Sequence, residues 1–368
     1  MMRTIHKLQI TTAAALALSV PTLSLADPTF DFYGQLNFGL FSVDDGTESE
    51  TFITDNDNSN TRVGATYSND LGNGGTVKGH FETALGIDGS SVATMDNNDS
   101  DIDLNRTELR KLELIYETAG YGTFYGGQGS MSTDGVAEVD FSGTTVVAYS
   151  SVTDLAGSFE FRPDRGALSG TSISNAFNSY DGARRARVRY DTPTYKGFTG
   201  SISWGKELLV VPDKREFTDV AVKYANDYGQ YKIDGRLGYQ WINGTEDGET
   251  DEEILSGSVA VLHTPTGLNF AFASGAADEA DSSYYFVKVG YIQDWLSLGT
   301  TALSFDITEG SDFDTQGSDS ESIAISAVQR VDAYNLEIYA SYRTYEYDAK
   351  GTDYEDIDLV VVGARWKF

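Results

Sequence analysis

The sequence predicts an all-β fold, a transmembrane antiparallel β-barrel of about sixteen strands, on three observations. From 27 to 368 the chain repeats one unit: a stretch of roughly ten residues in which apolar or aromatic side chains alternate with polar ones, then a turn rich in Gly, Asn and Asp. Beyond its first 26 residues it has no long apolar run. Its connections alternate between short and long. Successive side chains of a strand point to opposite faces, so each segment shows oil to one side and water to the other. Such strands cross a bilayer only by closing on themselves, because an open edge would leave backbone groups unpaired in hydrocarbon.

The first 26 residues are read apart from the fold. Arg3, His6 and Lys7 make a positively inclined start, 10–20 is a short apolar segment of mostly Ala and Leu, and Ser24-Leu25-Ala26 places small residues at the cleavage positions. This is the pattern of a secretory signal peptide, too short for a transmembrane helix. The organisation expected is a signal peptide over 1–26 and a barrel over 27–368; an uncleaved amphipathic anchor is the other reading of the same segment.

Composition agrees once the barrel is granted. The 368 residues are 40% hydrophobic with a formal net charge of -30, and the mean hydropathy of -0.31 is that of a soluble acidic protein. Only every second residue of a barrel strand must be apolar, so low hydropathy does not exclude the membrane. With 38 Gly and 22 Tyr against 6 Pro, the chain favours tight turns and aromatic strands. Cysteine is absent, which excludes a disulfide framework and thiolate metal sites. The strong acidity excludes nucleic acid as a partner, since nothing would neutralise its phosphates.

Element by element, the first strand is expected at 29–43, where Phe30, Phe32, Leu36, Phe38 and Leu40 alternate with Asp31, Tyr33, Gln35 and Asn37. Strands at 60–69 and 77–85 flank Leu71-Gly72-Asn73-Gly74-Gly75, whose Asn and Gly supply the positive φ angles of a tight reversal. The same pattern recurs near 106–118, 122–129, 184–192, 198–206, 218–226, 230–242, 253–263, 268–274, 283–291, 296–307, 320–331, 335–345 and 356–368. Connections at 119–121, 193–197, 226–229, 264–267, 292–295 and 332–334 are short; those at 44–59, 86–105, 130–183, 243–252, 308–319 and 346–355 are longer and rich in Asp, Glu and Ser. Short turns on one rim and long loops on the other, with both termini on the short-turn side, is the layout of an outer-membrane barrel.

The last strand places Val360, Val362, Ala364, Trp366 and Phe368 on one face and Arg365 and Lys367 on the other. A terminal Phe on an alternating aromatic strand resembles the assembly signal of Gram-negative outer-membrane proteins, carried here by Trp366 and Phe368. Thr61-Arg62-Val63-Gly64, continuing into Asn69-Asp70-Leu71-Gly72-Asn73-Gly74 and Phe81-Glu82, is similar to the second and third strands of the general bacterial porins, especially those of marine gammaproteobacteria. Tyr121-Gly122-Thr123-Phe124-Tyr125-Gly126-Gly127-Gln128, and Arg189-Tyr190-Asp191-Thr192-Pro193 with Gly197-Phe198, look like that family's strands five to seven. Gly127 stands where the family often has Arg, so one pore charge is missing. The resemblance implies passive diffusion of small hydrophilic solutes and ions, a homotrimer, the outer membrane with its lipopolysaccharide as surroundings, and no cofactor.

The resemblance also implies that the connection 130–183 folds inward and narrows the channel. It carries Asp134, Glu138 and Asp140. Arg185, Arg187 and Arg189 alternate along the following strand and point one way, about 6.6 Å apart. Facing lipid, each would cost roughly 2–4 kcal/mol near the midplane, so they face inward. Arg62, Lys78 and Lys111 take the polar phase of neighbouring strands. Carboxylates opposite a cationic wall would set a transverse field across a narrow aqueous gap and orient dipolar solutes. The plainer reading is that the loop carboxylates keep a surface loop solvated while the arginines pair with strand carboxylates.

Other candidates are weaker. His80 and His263 lie in separate strands without metal-ligand spacing. Asp55-Asn56-Asp57-Asn58 and Asp96-Asn97-Asn98-Asp99 offer oxygen ligands for weakly held divalent cations but no complete loop motif, and read better as solvated acidic loops. Trp204, Trp241, Trp295 and Trp366 suit an interfacial girdle. Three further functions compete. A sugar-specific channel needs a row of lumen aromatics, for which Tyr33, Tyr149 and Tyr339 are unlinked candidates. A barrel hydrolase needs a His poised beside Ser or a carboxylate. An adhesin or phage-receptor role of the loops can coexist with transport.

Overall fold

The computed structural model describes residues 27–368 except 73, 100, 164, 165, 214, 245–250, 279 and 280; the leader expected at 1–26 lies outside the described residues. Eighteen strands follow in chain order: β1 (Thr29–Asp44), β2 (Ser49–Asp55), β3 (Arg62–Asp70), β4 (Gly75–Ala84), β5 (Leu109–Thr118), β6 (Gly122–Ser130), β7 (Arg184–Asp191), β8 (Phe198–Lys206), β9 (Glu216–Asp227), β10 (Tyr231–Asn243), β11 (Glu252–His263), β12 (Leu268–Ala277), β13 (Ser283–Leu296), β14 (Gly299–Ser311), β15 (Asp319–Val331), β16 (Leu336–Ala349), β17 (Thr352–Asp353) and β18 (Ile357–Lys367). Neighbours pair antiparallel, and β1 closes the sheet against β18. β17 is a two-residue extension paired to the end of β16. β2 and β3 run one after the other along β1, the first beside Phe38–Asp44 and the second beside Thr29–Gln35, so they make one stave. The result is a closed barrel of sixteen staves.

Two sequence boundaries change. The connection expected at 44–59 contains β2, leaving only a tight turn between β1 and β2. Connections at 207–215 and 278–282, between β8 and β9 and between β12 and β13, also belong to the long-loop rim. On the opposite rim the turns are short, and their geometry is specific. At Gly267 φ is 75°, where L side chains are strained. A Cβ there would stand 1.9 Å from the Ile292 carbonyl oxygen.

Alternation places the side chains as the pattern demands. Along β1, Phe30, Phe32, Leu36, Phe38 and Leu40 are exposed on the outer face, while Gln35 and Asn37 are buried inside. Leu112, Leu114 and Tyr116 of β5 and Val360, Val362 and Trp366 of β18 continue the outer apolar belt. An outer surface this apolar is what hydrocarbon requires.

The inner face departs from the sequence expectation that every inward residue meets water. Phe41 and Val43 of β1, Tyr345 and Tyr347 of β16 and Ile357, Leu359 and Val361 of β18 point inward and are buried. They pack on Val146, Val147, Val152, Leu155, Phe159, Phe161, Ile173 and Phe177 of the connection 131–183. That connection enters the barrel and follows its inner wall. The Ser132 N–H donates to Ser203 Oγ at 2.8 Å, Thr133 bonds Asp219, and Arg236 donates to the Gly135 carbonyl at 2.9 Å. The Val139 N–H donates to Ser258 Oγ at 3.1 Å, Lys288 donates to Asp140 at 2.7 Å, and Tyr345 donates to the Val152 carbonyl at 2.8 Å. The loop thus runs past β8, β9, β10, β11, β13 and β16, and fills one side of the interior with a dry core.

Candidate functional site: a charged cavity beside the inner loop

The open part of the interior lies between the inner loop and the sector formed by β3, β5, β7 and β18. It is a cavity of about 590 Å³ lined by Arg62, Arg110, Arg184 and Arg365 on the barrel side and by Asp134, Glu138, Asp154 and Asp181 from the loop. A third element enters it: Asp57, Asn58, Ser59 and Asn60, between β2 and β3, also line the space.

The guanidiniums are held by the wall. Arg110 donates through Nε to Glu82 at 2.6 Å, and Arg62 approaches the same carboxylate at 3.6 Å. Arg365 donates through Nε to Glu337 at 2.6 Å. Arg184 lies 3.9 Å from Asp134 across the cavity. Four guanidiniums beside two wall carboxylates leave the wall net positive. Such an excess is sustainable in an aqueous gap and not in a dry core.

The loop carboxylates are held differently. Asp181 accepts the Gly135 and Ala137 N–H groups, both at 2.7 Å, joining the end of the loop to its beginning. Asp154 accepts from Tyr149 and, at 3.2 Å, from Ser151. Burial pushes the Asp154 carboxyl up to about 6 despite these donors. Burial, then Asp181, Asp134 and Asp154, push Glu138 upward as well; burial likewise raises Asp181. The physical cause is common: anions crowded on one loop in partial shelter from water favour the neutral form.

The expected site residues divide sharply. Arg62, Asp134 and Glu138 line the cavity. Lys78 pairs with Glu117 at 2.8 Å, and Lys111 stands opposite Glu82 in the β4–β5 register; neither lines it. Arg185, Arg187 and Arg189 face inward as alternation requires, but none of them lines this cavity; Arg185 lines an adjoining space together with Arg110 and Arg184. Arg187 is buried against Glu113 and donates to the Ser130 carbonyl at 3.0 Å. Arg189 pairs with Asp191 at 2.7 Å and donates to the Met131 carbonyl at 2.9 Å. Arg185 lies over the Phe217 ring and 3.2 Å from Glu207. Arg187 and Arg189 therefore clamp the point where the inner loop leaves the wall. Asp140 does not line the cavity either: its side chain is buried against Lys288 and anchors the loop. Trp366 and Phe368 pack ring against ring at 5.0 Å, tilted by 41°, on the outer face, far from cavity chemistry.

Three of the wall arginines explain their own omission. Arg110 falls in the outward phase of β5, but a register shift opposite Glu82 and Thr83 turns it inward. Arg184 is in the outward phase of β7 but at the strand's first residue, where loop geometry decides direction. Arg365 is on the inward face that alternation gives, and nothing local distinguishes it. The run Asp55-Asn56-Asp57-Asn58, read as a solvated loop, folds into the lumen: Asp55 accepts the Thr61 N–H at 2.8 Å and Asp57 the Ser91 N–H at 2.9 Å. Among the described residues no three acidic or histidine side chains converge to hold a metal. His80 takes Tyr33 at 2.7 Å and Glu113 at 3.4 Å; His263 takes Thr266 at 2.7 Å. Of the three candidate lumen tyrosines only Tyr149 lines the cavity; Tyr339 is buried against Asn37 at 2.9 Å and Tyr33 is engaged with Glu82 at 2.7 Å.

A family model described as Gram-negative porin matches residues 11–350. No curated protein matches the chain. Among solved structures it is similar to the anion-selective porin from Comamonas acidovorans, at 16% identity over 93% of this chain and 100% of that one, with a TM-score of 0.61. It is similar to OmpT of Vibrio cholerae in its trimer form, at 17% identity over 93% and 100%, TM-score 0.55. OmpF of Salmonella typhi aligns at 13% identity over 92% and 97%, TM-score 0.58. At such identities the likeness is one of fold.

Proposed function

The chain belongs to the Gram-negative porin family, diffusion channels of the Gram-negative outer membrane, and on that premise we propose that small hydrophilic solutes and ions pass through the cavity between the inner loop and the arginine wall. One observation carries the reading: Arg62, Arg110, Arg184 and Arg365 stand opposite Asp134, Glu138, Asp154 and Asp181 across a single open space. Opposite charges on facing walls of a narrow aqueous gap align a dipolar solute and disfavour an apolar one of equal size. The net charge of -30 gives the approach to the pore a modest preference for cations at low salt, where screening lengths exceed the gap.

The inner loop is the constriction in this reading, and 27–368 is the working channel. We place three copies together, as in the trimer form of the Vibrio cholerae protein. Catalysis is not part of the proposal: His80 and His263 lie on separate strands, and their polar partners, Tyr33 with Glu113 and Thr266, tie them into the wall and a turn.

Planar-bilayer recording in a salt gradient tests the assignment. Wild-type protein should conduct near zero voltage and reverse on the cation-selective side. Arg184→Gln should move the reversal potential further that way, since it removes a half-buried cation that lines the cavity; Arg187→Gln should leave the reversal potential in place and reduce folded yield instead. An insulating wild type, or a selectivity that follows Arg187 and ignores Arg184, overturns the proposal.

A further inference from the structure

The segment between β2 and β3 interrupts a stave that would otherwise be continuous. Along β1 the pairing steps from Phe38 to Gln35, three residues, while the partner chain advances from Asp55 to Arg62, seven. The four surplus residues are expelled into the lumen, where Asp57, Asn58, Ser59 and Asn60 line the cavity. None of this is loose. Gln35 donates to the Ser59 carbonyl at 2.6 Å and the Asn60 carbonyl at 2.8 Å, and Asn37 donates to the Ser59 carbonyl at 2.9 Å. Both donors are buried on the inner face of β1. Gln35 also donates to Ser59 Oγ at 2.9 Å, so that hydroxyl is held from behind by β1, and both it and the Asn60 side chain face the wall.

They act on guanidiniums. Arg365 NH1 donates to Ser59 Oγ at 2.7 Å, while Arg62 NH1 and Arg110 NH1 each reach Asn60 Oδ1 at 3.4 Å. The opposite side of the segment is tied to the acidic loop: Asn56 donates to the Val146 carbonyl at 3.0 Å, and Ser90, which accepts the Asp57 N–H at 3.1 Å, donates to the Asp154 carbonyl at 2.5 Å. The insert thus spans from the cationic wall to the anionic loop.

We propose that Ser59 and Asn60 are specificity-determining positioning residues, neutral acceptors that fix the direction of three guanidiniums and so set the pore's preference for dipolar solutes. Neutrality is the point. A carboxylate in their place would orient the arginines equally well but cancel the charge that the lumen presents. An amide or hydroxyl oxygen takes the hydrogen bond and adds no negative charge beyond Glu82 and Glu337, so the wall keeps its positive excess. Without it, Arg62, which stands 3.6 Å from Glu82, and the outer ends of Arg110 and Arg365, whose Nε atoms stay on Glu82 and Glu337, can turn toward the loop carboxylates and weaken the field.

The inference rests on the cavity being the permeation path, and the experiment separates the two. In proteoliposome swelling, the rate for a zwitterionic amino acid is compared with that for a neutral sugar of similar size, after the folded barrel is confirmed by heat-modifiable migration. Ser59→Ala/Asn60→Ala should lower the zwitterion-to-neutral ratio about threefold, as expected when unit charges shift within a narrow gap. Asn60→Asp keeps an acceptor oxygen but cancels lumen charge, so it should also lower that ratio while raising the cation-to-anion ratio in bilayers; Ser59→Thr, which keeps a neutral acceptor, should hold both near wild type. Arg184→Gln serves as the reference for the path itself. If Arg184→Gln changes selectivity and the double variant does not, positioning by the insert is overturned and the path stands. If Ser59→Thr, with its neutral acceptor kept, loses the zwitterion-to-neutral ratio as far as the double variant does, the insert acts only as a structural filler. If neither Arg184→Gln nor the double variant has an effect, both readings fall.

Discussion

Gly34 and Phe368 close the barrel together. The Gly34 N–H donates to the Phe368 carbonyl at 2.9 Å, and the Phe368 N–H donates to the Gly34 carbonyl at 3.0 Å. The terminal ring lies over the glycine's bare Cα, so that a Cβ on Gly34 would stand 2.5 Å from Phe368 Cζ and 3.0 Å from the Arg62 carbonyl. The last residue of the chain is therefore both the final rung of the closing ladder and the cover of a gap on its partner strand. Gly34→Val should slow barrel assembly and lower the yield of heat-modifiable, folded protein in detergent refolding, and deleting Phe368 should do so more strongly. Normal folding of both variants would show that this pair is dispensable.

Lys288 and Asp140 hold the early part of the inner loop. Lys288 Nζ donates to Asp140 at 2.7 Å, to Ser142 Oγ at 3.2 Å and to the Ala148 carbonyl at 2.5 Å, and both charged side chains are buried. Removing one member of a buried pair strands the other, a loss of about 3–5 kcal/mol in local stability. Lys288→Met should therefore raise open-channel current noise as the loop fluctuates, and Lys288→Met/Asp140→Leu should be quieter than the single variant. Equal noise in all three proteins would mean that the apolar core of the loop suffices.

The loop carboxylates predict a pH dependence that sits above the ordinary carboxylate range. Burial raises Asp154 to about 6 from its unperturbed 3.8, and raises Glu138 and Asp181 as well. An acid whose folded pKa exceeds its unfolded value holds more protons folded than unfolded between the two, so the packed loop is favoured as pH falls through 6 and weakened as it rises. The same protons remove negative charge from the pore. Cation preference, read from reversal potential, should decline between pH 8 and 5, with Asp154→Asn flattening the part centred near 6. A preference that stays constant until pH 4 would place these carboxylates in open water.

How much of this was readable from sequence depends on which residues are asked about. Phe30, Phe32, Leu36 and Phe38 announced their outward direction because a strand's period of two is a local property, and the same rule placed Arg187, Arg189 and Arg365 inside. It misplaced Arg110, which a bulge rotates, and Arg184, which stands where a strand gives way to a loop. It could not separate Arg187, consumed by Glu113, from Arg365, which faces the open cavity, since both are simply inward.

What the sequence by itself determined, then, is the barrel: the alternation, the turn spacing, the even number of staves and the aromatic end that joins β18 to β1. Only the tertiary structure decided which inward residues meet water. That choice follows from where the connection 131–183 lies, held by Ser203, Asp219, Ser258 and Lys288 on strands distant in sequence. The dry core on one side, and the charged space left on the other, are products of that long-range docking, which no local period encodes.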